Sequence, residues 1–136
     1  ARSDHLARII RPALQRGDIV LCDRFADSTM AYQGYAQGVG AAAISALTDI
    51  VVEDTRPDLT LIMDLPVEAG LARAAARGEG EDRYEKMGQA FHETLRAAFL
   101  DIAARAPKRC VVIDATGSEE AIAEQIMAVI KARFQL

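Results

Sequence analysis

"RPDLTLIMDLPVEAGLARAAARG", residues 56–78, changes its period halfway along. Leu59–Met63 is a short apolar run that stops at Asp64. Continuous rather than alternating apolar residues predict a strand covered on both faces, as in a parallel sheet. Pro66 then stands at a first helical position, where its fixed φ suits the turn and its missing N–H costs nothing. Helical spacing continues to Gly78, a stop signal. A strand that feeds straight into a helix is the building unit of an α/β fold.

The same grammar appears on either side. Ile19–Cys22 and Cys110–Ile113 are two further apolar runs, and Asp23, Asp64 and Asp114 end the three in turn. Helical stripes fill the gaps: Leu6, Ile9, Ile10, Ala13 and Leu14; Ile44, Leu47 and Val51; Met87, Phe91, Leu95, Ala98, Phe99 and Ile102; and Ile122, Ile126, Val129 and Ile130. Thr116 and Glu119 have the spacing of a capping box ahead of the last helix. Ligands of parallel α/β sheets gather beyond the carboxyl ends of the strands, where the aspartates are expected.

The 136 residues fit one domain over 1–136, and a net charge of −4 argues against a surface that coats nucleic acid. No apolar run has transmembrane length and no signal peptide is present, so the expectation is a cytoplasmic chain with no membrane partner. Cys22 and Cys110 adjoin apolar runs without metal spacing and read as buried small hydrophobes. The chain opens on a helix with no strand before it, which predicts further material ahead of Ala1.

The chemistry concentrates in "CDRFADSTMAYQGYAQG", residues 22–38. An Asp–Arg pair after a buried strand is expensive unless it is paired or used. Ser28, Thr29, Tyr32 and Gln33 add hydrogen-bonding and stacking groups suited to a nucleoside. A second segment, "RAAARGEGEDRYEK", carries Arg73, Arg77 and Arg83 around a glycine-containing turn. Two arginine groups suggest an anionic substrate with more than one charged centre, because the guanidinium fork matches phosphate oxygens. A neighbouring carboxylate suits Mg²⁺, and phosphoryl transfer needs both kinds of group.

"DRFADSTMAYQG" resembles the DR[YFH]xxSxxAYQG signature of the bacterial thymidylate kinase family. "ARSDHLARIIRPAL" resembles the family's preceding helix, "RPDLTLIMDLPVEAGLARAAARG" its next strand and helix, "EDRYE" its lid, and "VVIDATGSEEAI" its last strand and helix start. The likeness runs from Ala1 to near the C-terminus. It implies a three-layer α/β/α parallel sheet of the P-loop nucleoside monophosphate kinase type, with a lid at about 77–86. The family's N-terminal strand, helix and GxxxxGK[ST] phosphate cradle are absent from these residues, so the isolated chain is expected to be inactive.

The resemblance implies transfer of the ATP γ-phosphoryl group to dTMP, with Mg²⁺, in a homodimer. Arg24 then binds the dTMP phosphate and Asp23 lies near Mg²⁺ and the reacting phosphoryl group. Arg2 reaches the base, Ser28 and Thr29 line it, Tyr32 lies against the deoxyribose and Gln33 is a neighbour. Arg83 is the lid arginine, Arg73 and Arg77 contact ATP, and Ala115, Thr116 and Gly117 border adenine. Asp4 and Gln37 depart from the family pattern, which has Gln and often Arg there.

Plainer roles suit other residues. His5 reads as a helix-packing residue, Phe91 and Phe99 as core aromatics, Asp64 and Asp114 as strand-end groups, and Arg96 and Arg105 as solvated helix charges. Two other readings stay open: a deoxynucleoside or other nucleotide kinase, and an inert nucleotide-binding or oligomerisation module.

Overall fold

Arg2 opens a helix, α1, that runs over residues 2–15, with wide π-type turns at Leu6–Ile10. Pro12 lies just beyond those turns. A proline lacks the N–H of the i→i−4 ladder and crowds the carbonyl before it, so the widened turn is the local accommodation. The structure is a computed structural model and describes residues 2–78 and 86–136. It divides into two compact units, Ala1–Asp58 and Leu59–Leu136.

The first unit is helical. After α1 come α2, residues 26–36, which widens at Met30–Ala36, and α3, Ala41–Val52. Leu6, Ile10 and Val52 form its buried cluster, with Val20, Phe25, Ala26 and Val51 packed against it. Arg11 ties α1 to the end of α3 by donating to the Thr55 hydroxyl at 2.9 Å and to the Glu53 carboxylate at 3.0 Å. Gly34 lets α2 and α3 approach closely. A Cβ there would stand 3.0 Å from Met30 Sδ and 3.6 Å from the Ala41 Cα.

Ile19–Cys22, expected as a strand, is instead an unpaired segment of which only Val20 packs on the core. Ile19 is 84% and Leu21 90% exposed, and Cys22 is exposed rather than buried. Apolar composition supplies β-propensity, but a strand exists only with a ladder partner, and this run has none among the described residues. Asp23 and Arg24 are therefore solvent-facing, not the ends of a buried strand.

The second unit carries the α/β pattern. Its order is β1 (Thr60–Asp64), α4 (Val67–Ala76), α5 (Gln89–Arg105), β2 (Cys110–Asp114) and α6 (Glu119–Phe134). The strands pair in parallel with Thr60 opposite Cys110 and Asp64 opposite Asp114. Both aspartates thus sit at the carboxyl ends, as their sequence positions predict. Ile62, Leu95, Ala98, Ile102, Cys110 and Ile113 are buried, while Phe91 and Phe99 are only half-buried.

Pro66 caps α4 rather than opening it, one residue away from the expected position. Gly78, at φ +69°, follows the helix in the left-handed conformation that suits a glycine. The expected Thr116–Glu119 capping box does not form. Ser118 is the N-cap of α6 and its hydroxyl accepts from the Ala121 N–H at 3.2 Å. Thr116 is drawn away because its hydroxyl donates to Asp114 at 2.6 Å.

Candidate functional site

The predicted site residues fall into one cluster in each unit. In the first unit, Arg2 extends from the start of α1 to donate to the Thr29 hydroxyl on α2. Its guanidinium lies 5.5 Å from the Phe25 ring centroid. Phe25 also packs on the Leu6–Ile10–Val52 cluster, so the platform beneath Arg2 is anchored in the core. Ser28, one residue before Thr29, is buried, and its N–H donates to the Phe25 carbonyl at 3.1 Å.

Arg24 makes a parallel arrangement with a different ring. Its guanidinium stands 4.6 Å from the Tyr32 ring centroid. Its backbone is left-handed, at φ +61°, a conformation uncommon for a non-glycine residue and concentrated at functional sites. The Cys22 thiol leans on the same residue, 3.8 Å from the Arg24 carbonyl. Tyr32 and Gln33 both lie in the wide turns of α2, a feature that re-aims side chains and recurs at functional sites.

The two guanidiniums stand near enough to act on each other. Burial lowers the pKa of Arg2 from its ordinary value, the Cys22 thiol acts the other way, and the nearby Arg24 charge lowers it further. A guanidinium stays protonated at neutral pH regardless. Two like charges brought together in partly desolvated surroundings make a place where an anion is favoured. Asp23 is exposed beside Arg24.

In the second unit, Arg73 reaches from α4 to the turn between β2 and α6. It donates to the carbonyls of Ala115 at 2.6 Å, Thr116 at 3.0 Å and Gly117 at 3.3 Å. Arg73 is thus brought together with all three loop residues singled out from sequence. Asp114 braces the same turn by accepting from the Thr116 hydroxyl and, at 2.9 Å, from the Thr116 N–H. Those bonds, the hydroxyl's first, hold the Asp114 carboxyl below its ordinary pKa. Gln125 donates to the Asp114 carbonyl at 3.0 Å, and the Ala115 N–H to the Asp64 carbonyl at 2.8 Å.

Arg77 goes elsewhere. It borders a cavity of about 280 Å³ between α4 and α5, lined also by Asp64, Leu71, His92, Arg96 and Phe99. At that cavity Arg96 donates to both Asp64 oxygens, at 2.8 and 3.2 Å, and is not the solvated charge expected of it. The hydrogen bonds to Asp64 raise its pKa. Arg105 does face solvent and pairs with Asp101 one turn back. Arg83 and Tyr84, and with them most of the expected lid, lie outside the described residues.

Sequence reasoning passed over Phe25 and read Arg96 only as a solvated charge. Phe25 had a local signal, an aromatic directly after the Asp–Arg pair. Arg96 had none, because its partner is 32 positions away.

The comparisons with known proteins agree along the chain. A thymidylate kinase of Caulobacter vibrioides is 55% identical over 136 residues, covering 100% of this chain and 65% of that protein. One of Pseudomonas fluorescens is 60% identical over 115 residues, covering 85% and 54% respectively. The crystal structure of thymidylate kinase from Ehrlichia chaffeensis superposes with a TM-score of 0.71 at 33% identity, over 96% of this chain and 58% of that one. The chain therefore spans a little over half to about two thirds of the length of the proteins it matches. A profile of the family described as Thymidylate kinase matches residues 1–126, running through both units rather than over one motif, and so the chain belongs to the thymidylate kinase family.

Proposed function

We propose that this chain supplies the acceptor site and part of the donor site of an enzyme that moves the ATP γ-phosphoryl group onto dTMP, giving dTDP. The observation that carries this reading is the first-unit corner, where the Arg2 and Arg24 guanidiniums each lie over an aromatic ring and Arg2 also reaches Thr29. A nucleoside monophosphate has the matching parts: a flat base with polar edges, and a dianion. Arg24 would hold the phosphate, Arg2 and Thr29 the base edge, and Tyr32 the sugar side, with Ser28 and Gln33 alongside.

In the second unit, Arg73 holds the loop Ala115–Gly117 in shape, and that loop would border the adenine of ATP. Arg77 and Arg83 are offered as cations for the donor's phosphates. Among the described residues, no group of three or more His, Cys, Asp or Glu gathers as a metal cage. Mg²⁺ keeps several waters and takes one or two carboxylates plus phosphate oxygens. Asp23 would hold the ion, which supplies neutralisation of phosphate charge when bound. The remaining work is positioning, which is most of what phosphoryl transfer asks of a protein.

No helix among the described residues is long and apolar enough to cross a membrane. On α3, Leu47 is 55% and Ile50 73% exposed beside Ala43 and Ala46. This stripe supports the expected homodimer, and light scattering on Leu47→Glu would detect its loss.

The chain spans 65% and 54% of the lengths of the two relatives, so the reading is tested in a protein of the relatives' full length. There, dTMP-dependent formation of ADP and dTDP is expected, and Arg24→Lys should lower kcat/KM for dTMP by roughly thirtyfold or more, as loss of a bidentate charge-assisted donor implies. Phosphorylation of thymidine in preference to dTMP, or an Arg24→Lys enzyme within about threefold of wild type, overturns the reading.

A further inference from the structure

Tyr32 has a use beyond lining a sugar. We infer that Tyr32 is a positioning residue for Arg24, holding the guanidinium by its face so that its edge is presented to the phosphate of the acceptor. This rests on the dTMP reading of the first-unit site.

Three observations meet at Arg24. Its side chain is exposed, its guanidinium lies 4.6 Å from the Tyr32 ring centroid, and its backbone sits at φ +61°. An exposed arginine on an ordinary loop samples many rotamers. Here the left-handed backbone sets the direction in which the side chain leaves, and the ring catches its far end. The chain spends local strain on one arginine orientation, which a solvated surface charge has no need of.

The geometry also suits an anion. A guanidinium attracted to a π-face uses its flat face, while its five N–H donors point outward in its own plane. The fork therefore stays available to a tetrahedral phosphate, and less freedom is lost when the phosphate binds. Arg2 over Phe25 repeats the arrangement, but one end of its fork is already committed to Thr29. Arg24 is thus the better candidate for the phosphate, and Tyr32 the residue through which its position is set.

The test is a double-mutant cycle in the full-length gene product, with Tyr32→Leu, Tyr32→Phe, Arg24→Met and Tyr32→Leu/Arg24→Met. Binding of dTMP and of thymidine, which lacks the phosphate, is measured by calorimetry. The Arg24 Nε–H resonance is followed by NMR without ligand. Tyr32→Leu should weaken dTMP about two- to fivefold more than it weakens thymidine, which meets the ring only through its sugar; that excess is the size expected of an exposed cation–π contact. The excess should vanish in the Arg24→Met background, and Tyr32→Phe should keep wild-type affinity because the ring remains. The Nε–H resonance should lose its ring-current shift in Tyr32→Leu alone of the two tyrosine variants.

Equal losses for dTMP and thymidine overturn the inference, as does a full-sized Tyr32→Leu effect without Arg24. So does an Nε–H resonance that ignores the substitution. If the wild type binds no dTMP, the acceptor assignment fails separately, and the same cycle run with inorganic phosphate decides whether Tyr32 acts through Arg24.

Discussion

Removing Arg73 should loosen the turn after β2 before it touches any ligand. The perturbation is Arg73→Met, which keeps the length and apolar stem and deletes three donors. Those donors serve the carbonyls of Ala115, Thr116 and Gly117 at 2.6, 3.0 and 3.3 Å. A hydrogen bond to a charged group is worth about 1.5–3 kcal/mol when water is kept away. Only the first of the three is part-buried, and the other two are exposed and compete with solvent. One bond near full value and two small ones give about 2 kcal/mol of local ordering. That corresponds to roughly thirtyfold faster amide exchange if the loop opens locally.

The assay is amide hydrogen exchange over residues 115–118, with the amides of β2 as an internal reference. Loop amides should speed up while those of Val112 and Ile113 stay within about twofold, because Asp114, Gln125 and the Asp64 carbonyl still brace the other end of the turn. Arg73→Lys should recover only part of the protection, since an ammonium gathers its three donors on one nitrogen and lacks the fork that spans the three carbonyls. ATP binding should weaken in parallel with loop opening across the series. Exchange unchanged in Arg73→Met, with ATP affinity lost, would refute the reasoning and return Arg73 to the role of a direct nucleotide contact.

Other perturbations test the frame around the two clusters. Leu6 is fully buried under Phe25, so Leu6→Ala should cost about 3–5 kcal/mol in urea denaturation; a loss below about 1 kcal/mol would mean that the cluster does not anchor the first unit. Ser118→Ala should cost about 1 kcal/mol by removing the α6 N-cap, whereas Thr116→Val should leave that cap intact. The Asp114 carboxyl is held below its ordinary pKa by Thr116, so its stabilising effect is fully present above the unfolded carboxylate value and is lost as pH falls through the lower folded one. Asp114→Asn should therefore flatten the acid limb of a stability–pH curve, and an unchanged limb would show that other carboxylates set it.

The parts of the fold that sequence made legible are those decided within a few residues. The run Leu59–Met63, the break at Leu65–Pro66 and the stop at Gly78 all appear in place to within one position. Their causes are local: β-propensity, a fixed proline φ, and a glycine φ. Ile19–Cys22 is as apolar as Leu59–Met63 and met a different fate, because the second run finds the β2 ladder and the first finds no partner among the described residues. Thr116 and Ser118 make the same point at a helix start. Both can cap, and the winner follows from Asp114 claiming the Thr116 hydroxyl.

The sites divide in the same way. Arg24 and Tyr32 are eight positions apart on one continuous stretch, and both could be named from "DRFADSTMAYQG", yet their contact needed the left-handed turn at Arg24 to be seen. Arg73 and Arg96 are both helix arginines with no local sign of what they bind. One spends its fork on three carbonyls 42 to 44 positions on, and the other on a carboxylate 32 positions back. An arginine's chemistry is fixed by its type, since the planar fork will bind oxygens wherever they are offered. Whether those oxygens belong to the protein or to a phosphate depends on what the fold carries within reach. Arg73 and Arg96 have donors engaged on their own chain, whereas the Arg24 guanidinium stands 4.6 Å from the Tyr32 ring centroid, and a guanidinium stacked there by its face would keep its edge for a ligand.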